Sequence, residues 1–194
     1  AAPLAVGLAT ASTPAQGPRY TATSELLPPT DYRSWTFLTS GFAMAYGPAA
    51  RAMAEANIKA MDNVYVNRSA YDAFLQTGSW PEGTMFVLEV RTAEGTGSIV
   101  NGGHFQTTLS ALEVHIKDSQ RFAGGSGFFE FATDAHGPNA PAKLLPRAQA
   151  CYDCHTKHGA VGDTFTQFYP TLFPVARAKG TVRADFIGIP ATSD

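Results

Sequence analysis

The chain has 194 residues, 44% of them hydrophobic and only 15% charged, and its 14 basic and 16 acidic side chains leave a net charge of −2. A charged share well below the usual ~25% excludes a disordered chain and a coiled coil, and the near balance of signs leaves no basic field for nucleic acid. No run of about 18 apolar residues occurs, so no membrane-spanning helix is expected.

The stretch from Ala1 to Pro18 is small, apolar and uncharged, with three prolines. It resembles the end of a secretory signal with a small-residue cleavage site at Ala9-Thr10-Ala11, although the basic start of such a signal is missing. An exported, periplasmic protein is the expectation, and a flexible arm on a cytoplasmic protein is the competing reading. Prolines and Asp31 mark a turn between Leu26 and Tyr32, followed by a helix-like or extended segment containing Trp35, Phe37 and Leu38. Pro48 to Met61 is rich in strong helix formers with proline near its start, which predicts a helix. Asn63 to Asn67 alternates and predicts a strand. Arg68 to Gln76 has helical spacing, with Gly78 placed to stop it.

Thr84 to Arg91 reads as a strand introduced by the turn Pro81-Glu82-Gly83. A glycine loop (95, 97, 102, 103) leads to a long strand, Phe105 to Lys117. Gly124, Gly125 and Gly127 make a turn before the aromatic strand Phe128 to Phe131. Residues 134–146 predict a loop, Cys151 to His155 a short helix, and Phe165 to Ala178 a last helix kinked or broken at Pro170 and Pro174. The expected fold class is α+β: a meander of about four antiparallel strands with flanking helices.

Cys151-Tyr152-Asp153-Cys154-His155 is C-x-x-C-H, the attachment motif of c-type haem. Each thiol can add to one haem vinyl group, and the histidine that follows is placed under the iron as an axial ligand. A thioredoxin-like dithiol belongs at the start of a helix in a βαβ unit, not late in the chain after antiparallel strands. A zinc site from Cys151, Cys154, His155 and His158 would crowd four ligands into eight residues, against the usual two separated pairs. The reading is therefore one covalent haem c held by Cys151 and Cys154, with His155 as the iron ligand.

The sixth iron position distinguishes a carrier from a gas binder or catalyst. The available side chains are Met44, Met53, Met61 and Met85, and His104, His115, His136 and His158. His158 lies too close to His155 to cross the ring, Met53 and Met61 sit in the helix-forming run, and packing or solvent is the expected role of the rest. An open position is the expectation.

Several strings carry a further resemblance: LLPPTDYRSW (26–35), VYVN followed by Ala70-Tyr71, GSWPEGTMFVLEV (78–90), LEVHIKDSQRF (112–122), FFEF, and CYDCH followed by DTFTQFYPTL (163–172). Together they resemble the cytochrome P-460 family, which includes the cytochromes c′-beta. The resemblance implies an α+β fold with an antiparallel sheet, a homodimer, and a late-motif c-type haem that is five-coordinate beneath His155. In hydroxylamine-oxidising members, a lysine on the strand after the P-x-G-T turn bonds to the haem edge. Here that position is Leu88, and no lysine lies in Thr84 to Arg91. A family arginine of the distal pocket is replaced by Asp62, and the pocket carboxylate is retained as Glu113.

Strand alternation puts Phe86, Leu88 and Val90 on one face and Met85, Val87 and Glu89 on the other, with Glu113 sharing a face with Leu109, Ala111 and His115. Phe37, Phe42 and Phe105 are further candidates for the distal wall. Glu113 is the candidate acid/base, its pKa raised if buried; the bland alternative is a surface glutamate. The domain expectation is an arm or residual export segment over 1–24 and one haem-binding domain over 25–194. The function expected is binding of nitric oxide or carbon monoxide at an open iron. The alternatives are hydroxylamine or peroxide chemistry, and electron transfer with a redox partner.

Overall fold

A computed structural model describes residues 17–44, 52, 59–97, 99, 101–134 and 137–188. At its centre lies a five-stranded antiparallel sheet whose strands are spatial neighbours in chain order: β1 (Thr36–Phe42), β2 (Ala60–Val66), β3 (Met85–Glu94), β4 (Phe105–Lys117) and β5 (Ser126–Phe131). A two-stranded ladder of β6 (Thr133–Asp134) and β7 (Gly137–Pro138) follows it. Helix α1 (Arg68–Thr77) connects β2 to β3, while α2 (Ala150–His158) and α3 (Phe173–Lys179) come after the sheet. Short 3-10 turns cover Tyr32–Ser34 and Thr166–Phe168. The α+β class with an antiparallel sheet is as the sequence predicts.

The pleat divides the sheet into two chemically different faces. Met85, Val87, Leu112, Val114, Ile116, Phe129 and Phe131 leave one face and pack with Leu26, Tyr32, Trp35, Phe122 and Ala142. On the opposite face, Val66 and Phe86 join Ala70 and Phe74 of α1, Trp80, Tyr169, Leu172 and Ala176 of α3. Phe74 is fully buried, and an aromatic side chain removed from water in this way contributes about 2–3 kcal/mol. Gly78 ends α1 with φ 74°, a left-handed conformation that costs glycine least.

Several boundaries differ from expectation for identifiable reasons. Ala60 and Met61, read as the end of a helix, begin β2, because pairing with Thr92 and Arg91 of β3 outweighs their helix propensity. Most of the remaining predicted helix lies outside the described residues. Asn67 precedes α1 rather than ending a strand, and its side-chain oxygen accepts from the Met85 N–H at 2.9 Å. The segment at Trp35 resolves as strand β1 from Thr36. The loop over 134–146 contains part of the β6–β7 ladder, and isolated bridges tie Ala142 to Leu26 and Leu144 to Phe129. The last helix is two pieces: the chain breaks around Pro170, whereas Pro174 sits in the first turn of α3, where its missing N–H costs nothing.

One charged side chain sits among the apolar residues of the first face. Glu89 is only 2% exposed. Its Oε1 accepts from the Tyr32 hydroxyl at 2.8 Å and Arg91 Nε at 2.9 Å, and it pairs with the Arg33 guanidinium. Burial alone would raise this carboxyl, but the bonds from Arg91, Arg33 and Tyr32 outweigh it and hold the pKa below the ordinary value. The three donors satisfy a group that would otherwise carry a full desolvation cost. Glu89→Ala is expected to lower stability at pH 7 by about 2–3 kcal/mol in urea unfolding, since both arginines can still reach water. The depressed pKa means this contribution is present above the ordinary value of 4.5 and is lost as pH falls through the folded value. Variant and wild type should therefore converge in acid.

Candidate functional site

The second face of the sheet opens into a cavity of about 660 Å³, within the ~300–1,000 Å³ usual for ligand and cofactor sites. Three rungs of the ladder line it. Gly41, Asp62, Val90 and Ala111 form the first; Val64, Leu88 and Glu113 the second; Phe86, His115 and Phe128 the third. Phe86, Leu88 and Val90 all face the cavity, as alternation predicts, and Met85 and Val87 lie in the opposite core. Leu109 does not continue the row. It pairs with Arg91 while Ala111 pairs with Val90, so an irregularity at Ser110 breaks the alternation. Phe37, Phe42 and Phe105 are 52%, 46% and 41% exposed and do not line the cavity, which corrects their reading as a distal wall. Phe37 packs edge-on against Tyr65, and Phe42 against the His104 ring.

The facing wall comes from α2 and the segment after it. Cys151, Cys154 and His155 are spaced by three and four residues, so one side of α2 turns all three toward the cavity. Tyr152 leaves the other side, its hydroxyl donating to the Leu145 carbonyl at 3.0 Å. Both cysteines are free thiols, pushed above their ordinary pKa chiefly by burial, with the Glu113 charge adding to the effect at Cys151. The His155 ring packs on Phe165 and Phe128, with centroids at 4.2 and 4.7 Å. Its Nδ1 lies 2.9 Å from the Asp163 carbonyl oxygen. A carbonyl only accepts, so Nδ1 carries the proton and Nε2 keeps its lone pair, the tautomer required of a metal ligand. Burial lowers the His155 pKa and so favours this neutral ring, against the opposing pull of the Asp163 carbonyl.

Of the candidate sixth ligands, two line the cavity: Met44 just past β1, and His115 on β4. His115 stacks against Phe86 and Phe128 and has its Nε2 3.1 Å from Ser126 Oγ. Its centroid is 5.1 Å from that of His155, and burial first, then the His155 and Lys117 charges, drive its pKa well below the usual value. This is a satisfied, neutral imidazole beside the candidate axial histidine. Met85 is in the opposite core, and Met61 and His104 are not part of the cavity wall. His104 precedes β4 rather than lying on it. His158 is exposed near the end of α2. Met53 and His136 lie outside the described residues. Among those residues, no group of three or more His, Cys, Asp and Glu is arranged to hold a metal ion.

Two carboxylates interrupt the apolar wall on a diagonal across Leu88 and Val90. Glu113 lines the cavity with its side chain exposed to that open space, and its pKa is raised first by desolvation at the wall and then by the charges of Glu130, its partner on β5, and of Asp62. Asp62, which stands where the family resemblance expects arginine, is raised to about 6 by burial. The anchoring of His155 by the Asp163 carbonyl was not foreseen from sequence. The only trace of that loop is the threonine-rich run at 163–166, which identifies no acceptor.

The residues present fit a haem: paired thiols one turn apart, an imidazole with one nitrogen already engaged, and apolar walls across from both. The family comparison agrees. The profile of the Cytochrome P460 family matches residues 29–166, well over half of the chain. The protein belongs to the Cytochrome P460 family, and with that membership come a haem cofactor and its iron. No curated protein matches the sequence, and no helix among the described residues is long and apolar enough to cross a membrane.

The raised pKa of Asp62 makes a stability statement with a definite sign. The folded state binds this proton more tightly than the unfolded chain, so stability is lost as pH rises from the ordinary value of 3.8 through about 6. Asp62→Asn removes that loss and the repulsion with Glu113. Its thermal midpoint should exceed that of wild type at pH 7.5 and match it near pH ~4, by calorimetry at the two pH values.

Proposed function

We propose that the protein is a periplasmic c-type haem protein that binds a neutral diatomic gas, nitric oxide or carbon monoxide, at an open iron position. In this reading Cys151 and Cys154 form the thioethers and His155 is the axial ligand. A haem iron with one protein ligand supplies a free coordination position. The observation that carries the proposal is the row Val64, Leu88, Val90 and Ala111, an apolar surface facing the C-x-x-C-H helix across the cavity. Aliphatic side chains exclude water and offer no hydrogen bond, a combination that suits nitric oxide and carbon monoxide and disfavours ligands stabilised by donors, such as dioxygen. Leu88 in place of the family's cross-linking lysine supports gas binding over hydroxylamine oxidation. Assembly as a homodimer and exchange of electrons with a redox partner belong to the same proposal.

A second reading, oxidoreductase chemistry on hydroxylamine or peroxide, is favoured by one feature. Asp62 and Glu113 both have pKa values raised above the ordinary carboxyl range at the cavity, to about 6 at Asp62, and a carboxyl raised in this way is a better proton donor nearer neutral pH.

The deciding experiment is the absorption spectrum of the purified protein, oxidised and dithionite-reduced, alone and with each gas. A high-spin c-type spectrum that shifts with nitric oxide and carbon monoxide is expected. A sharp low-spin spectrum indifferent to both overturns the open position and, among the described residues, points to Met44. The double variant Cys151→Ser/Cys154→Ser should lose covalent haem, measured as pigment extracted by acidified organic solvent; stoichiometric retention would overturn the attachment.

A further inference from the structure

The loop between α2 and the Thr166–Phe168 turn supplies the acceptor for His155, and its conformation is a demanding one. Gly162 and Asp163 both take left-handed backbone angles, φ 51° and 59°, and for a non-glycine residue this is costly. Such a conformation persists only where surrounding contacts over-determine it. At the start of the loop Gly159 has no room for a side chain, since a Cβ would fall 2.7 Å from both the His155 carbonyl oxygen and the Thr164 nitrogen. At its end, buried Thr164 donates to the Val161 carbonyl at 2.6 Å and meets Thr166 Oγ1 at 2.7 Å. Trp80 Nε1 donates to that same Thr166 oxygen at 3.1 Å.

The middle of the loop is held from the sheet. Lys117, the last residue of β4, donates from Nζ to the Gly162 carbonyl at 2.8 Å. Its own backbone is pinned twice to the turn before β3: the Lys117 N–H donates to the Thr84 carbonyl at 2.9 Å and its carbonyl accepts from Gly83 N–H at 2.8 Å. Burial lowers the ammonium's pKa, while the nearby Asp163 and Glu82 carboxylates favour its charged form. The Gly162 carbonyl belongs to the peptide immediately before Asp163, so holding it restrains the direction of the next carbonyl, the one that accepts the His155 Nδ1–H bond.

We propose that Lys117 is a positioning residue for the axial histidine, acting through the Gly162–Asp163 backbone to hold the acceptor of the His155 Nδ1–H. Lys117 does not line the cavity. The proposal rests on His155 as iron ligand and adds to it the group that orients its ring and sets its basicity.

The test uses the full-length haem-loaded protein with Lys117→Met, Lys117→Gln and Lys117→Arg. Two readouts report the Nδ1–H bond directly: the iron–histidine stretching frequency of the ferrous protein by resonance Raman, and exchange of the Nδ1 proton by NMR in the low-spin ferrous protein with carbon monoxide added. Lys117→Met is expected to shift the frequency downward and to speed exchange of the Nδ1 proton, because the hydrogen bond that raises the ligand's basicity is weakened. Lys117→Arg, which keeps a charged donor, should restore both. Lys117→Gln, whose amide nitrogen is one bond short of the Nζ position that meets the Gly162 carbonyl, loses the same contact with a polar side chain and covers the case in which the methionine variant does not fold. Unchanged frequency and exchange in either uncharged variant, with haem stoichiometrically bound, overturn the proposal. Failure of the wild-type protein to carry haem on His155 would instead overturn the reading beneath it.

Discussion

Because successive residues of a strand leave opposite faces of a sheet, β2, β3 and β4 carry two incompatible chemistries along the same stretch of chain. Met85, Val87, Leu112 and Val114 must fill a close-packed core on one side, where every void costs stability. On the other side Val64, Leu88, Val90 and Ala111 must stop short of filling the space, or no cavity remains. The antiparallel register reconciles the two demands. It brings cavity-facing residues of three strands into common rungs while their immediate neighbours interlock behind them. A one-residue slip of β3 would put Glu89 into the cavity and Leu88 into the core, so the same pairing that stabilises the fold also defines the pocket.

The sheet supplies one wall, and α2 cannot supply the other unaided. A helix of nine residues fixes where His155 begins but not how its ring is turned. That orientation comes from the loop that follows, where two left-handed residues aim the Asp163 carbonyl at Nδ1. The loop in turn is anchored to Trp80 and to the end of β4, elements separated from it by 45 to 86 residues in sequence. Long-range contacts therefore orient a side chain whose sequence motif is entirely local. The aromatic packing of His155 against Phe128 and Phe165 completes the restraint by closing the lateral directions.

What was legible in the sequence follows this division. β4 was read to its observed ends and α1 to within one residue of its end, because β-branched and aromatic residues in one, and helical spacing stopped by Gly78 in the other, are local signals. The facing of Phe86, Leu88 and Val90 followed from a period of two. Ala60 and Met61 were misread because helix propensity is weaker than a strand partner that the sequence does not reveal. Phe37, Phe42 and Phe105 were misassigned because aromatic character says nothing about which way an edge residue points, and the irregularity at Ser110 shifted Leu109 out of its expected row. The acceptor for His155 is a backbone carbonyl, a group every residue has, so composition could not single it out.

Glu89 and Asp62 make the functional asymmetry of the two faces visible. They lie on neighbouring strands, one on each side of the sheet; Glu89 is buried and Asp62 is half-buried. Glu89 has three donors, and its pKa falls below the ordinary value. The carboxyl of Asp62 rises to about 6, with burial as the cause and no compensating bond to a cation among the described residues. Selection for stability alone would pair a buried carboxylate or replace it with an apolar side chain, as the rest of that rung does with Val90 and Ala111. A carboxylate kept at that cost, facing the cavity and within electrostatic reach of Glu113, is the kind of local inconsistency that concentrates where a fold meets its ligand. Asp62 and Glu113 thus provide the chemical variation in an otherwise aliphatic wall.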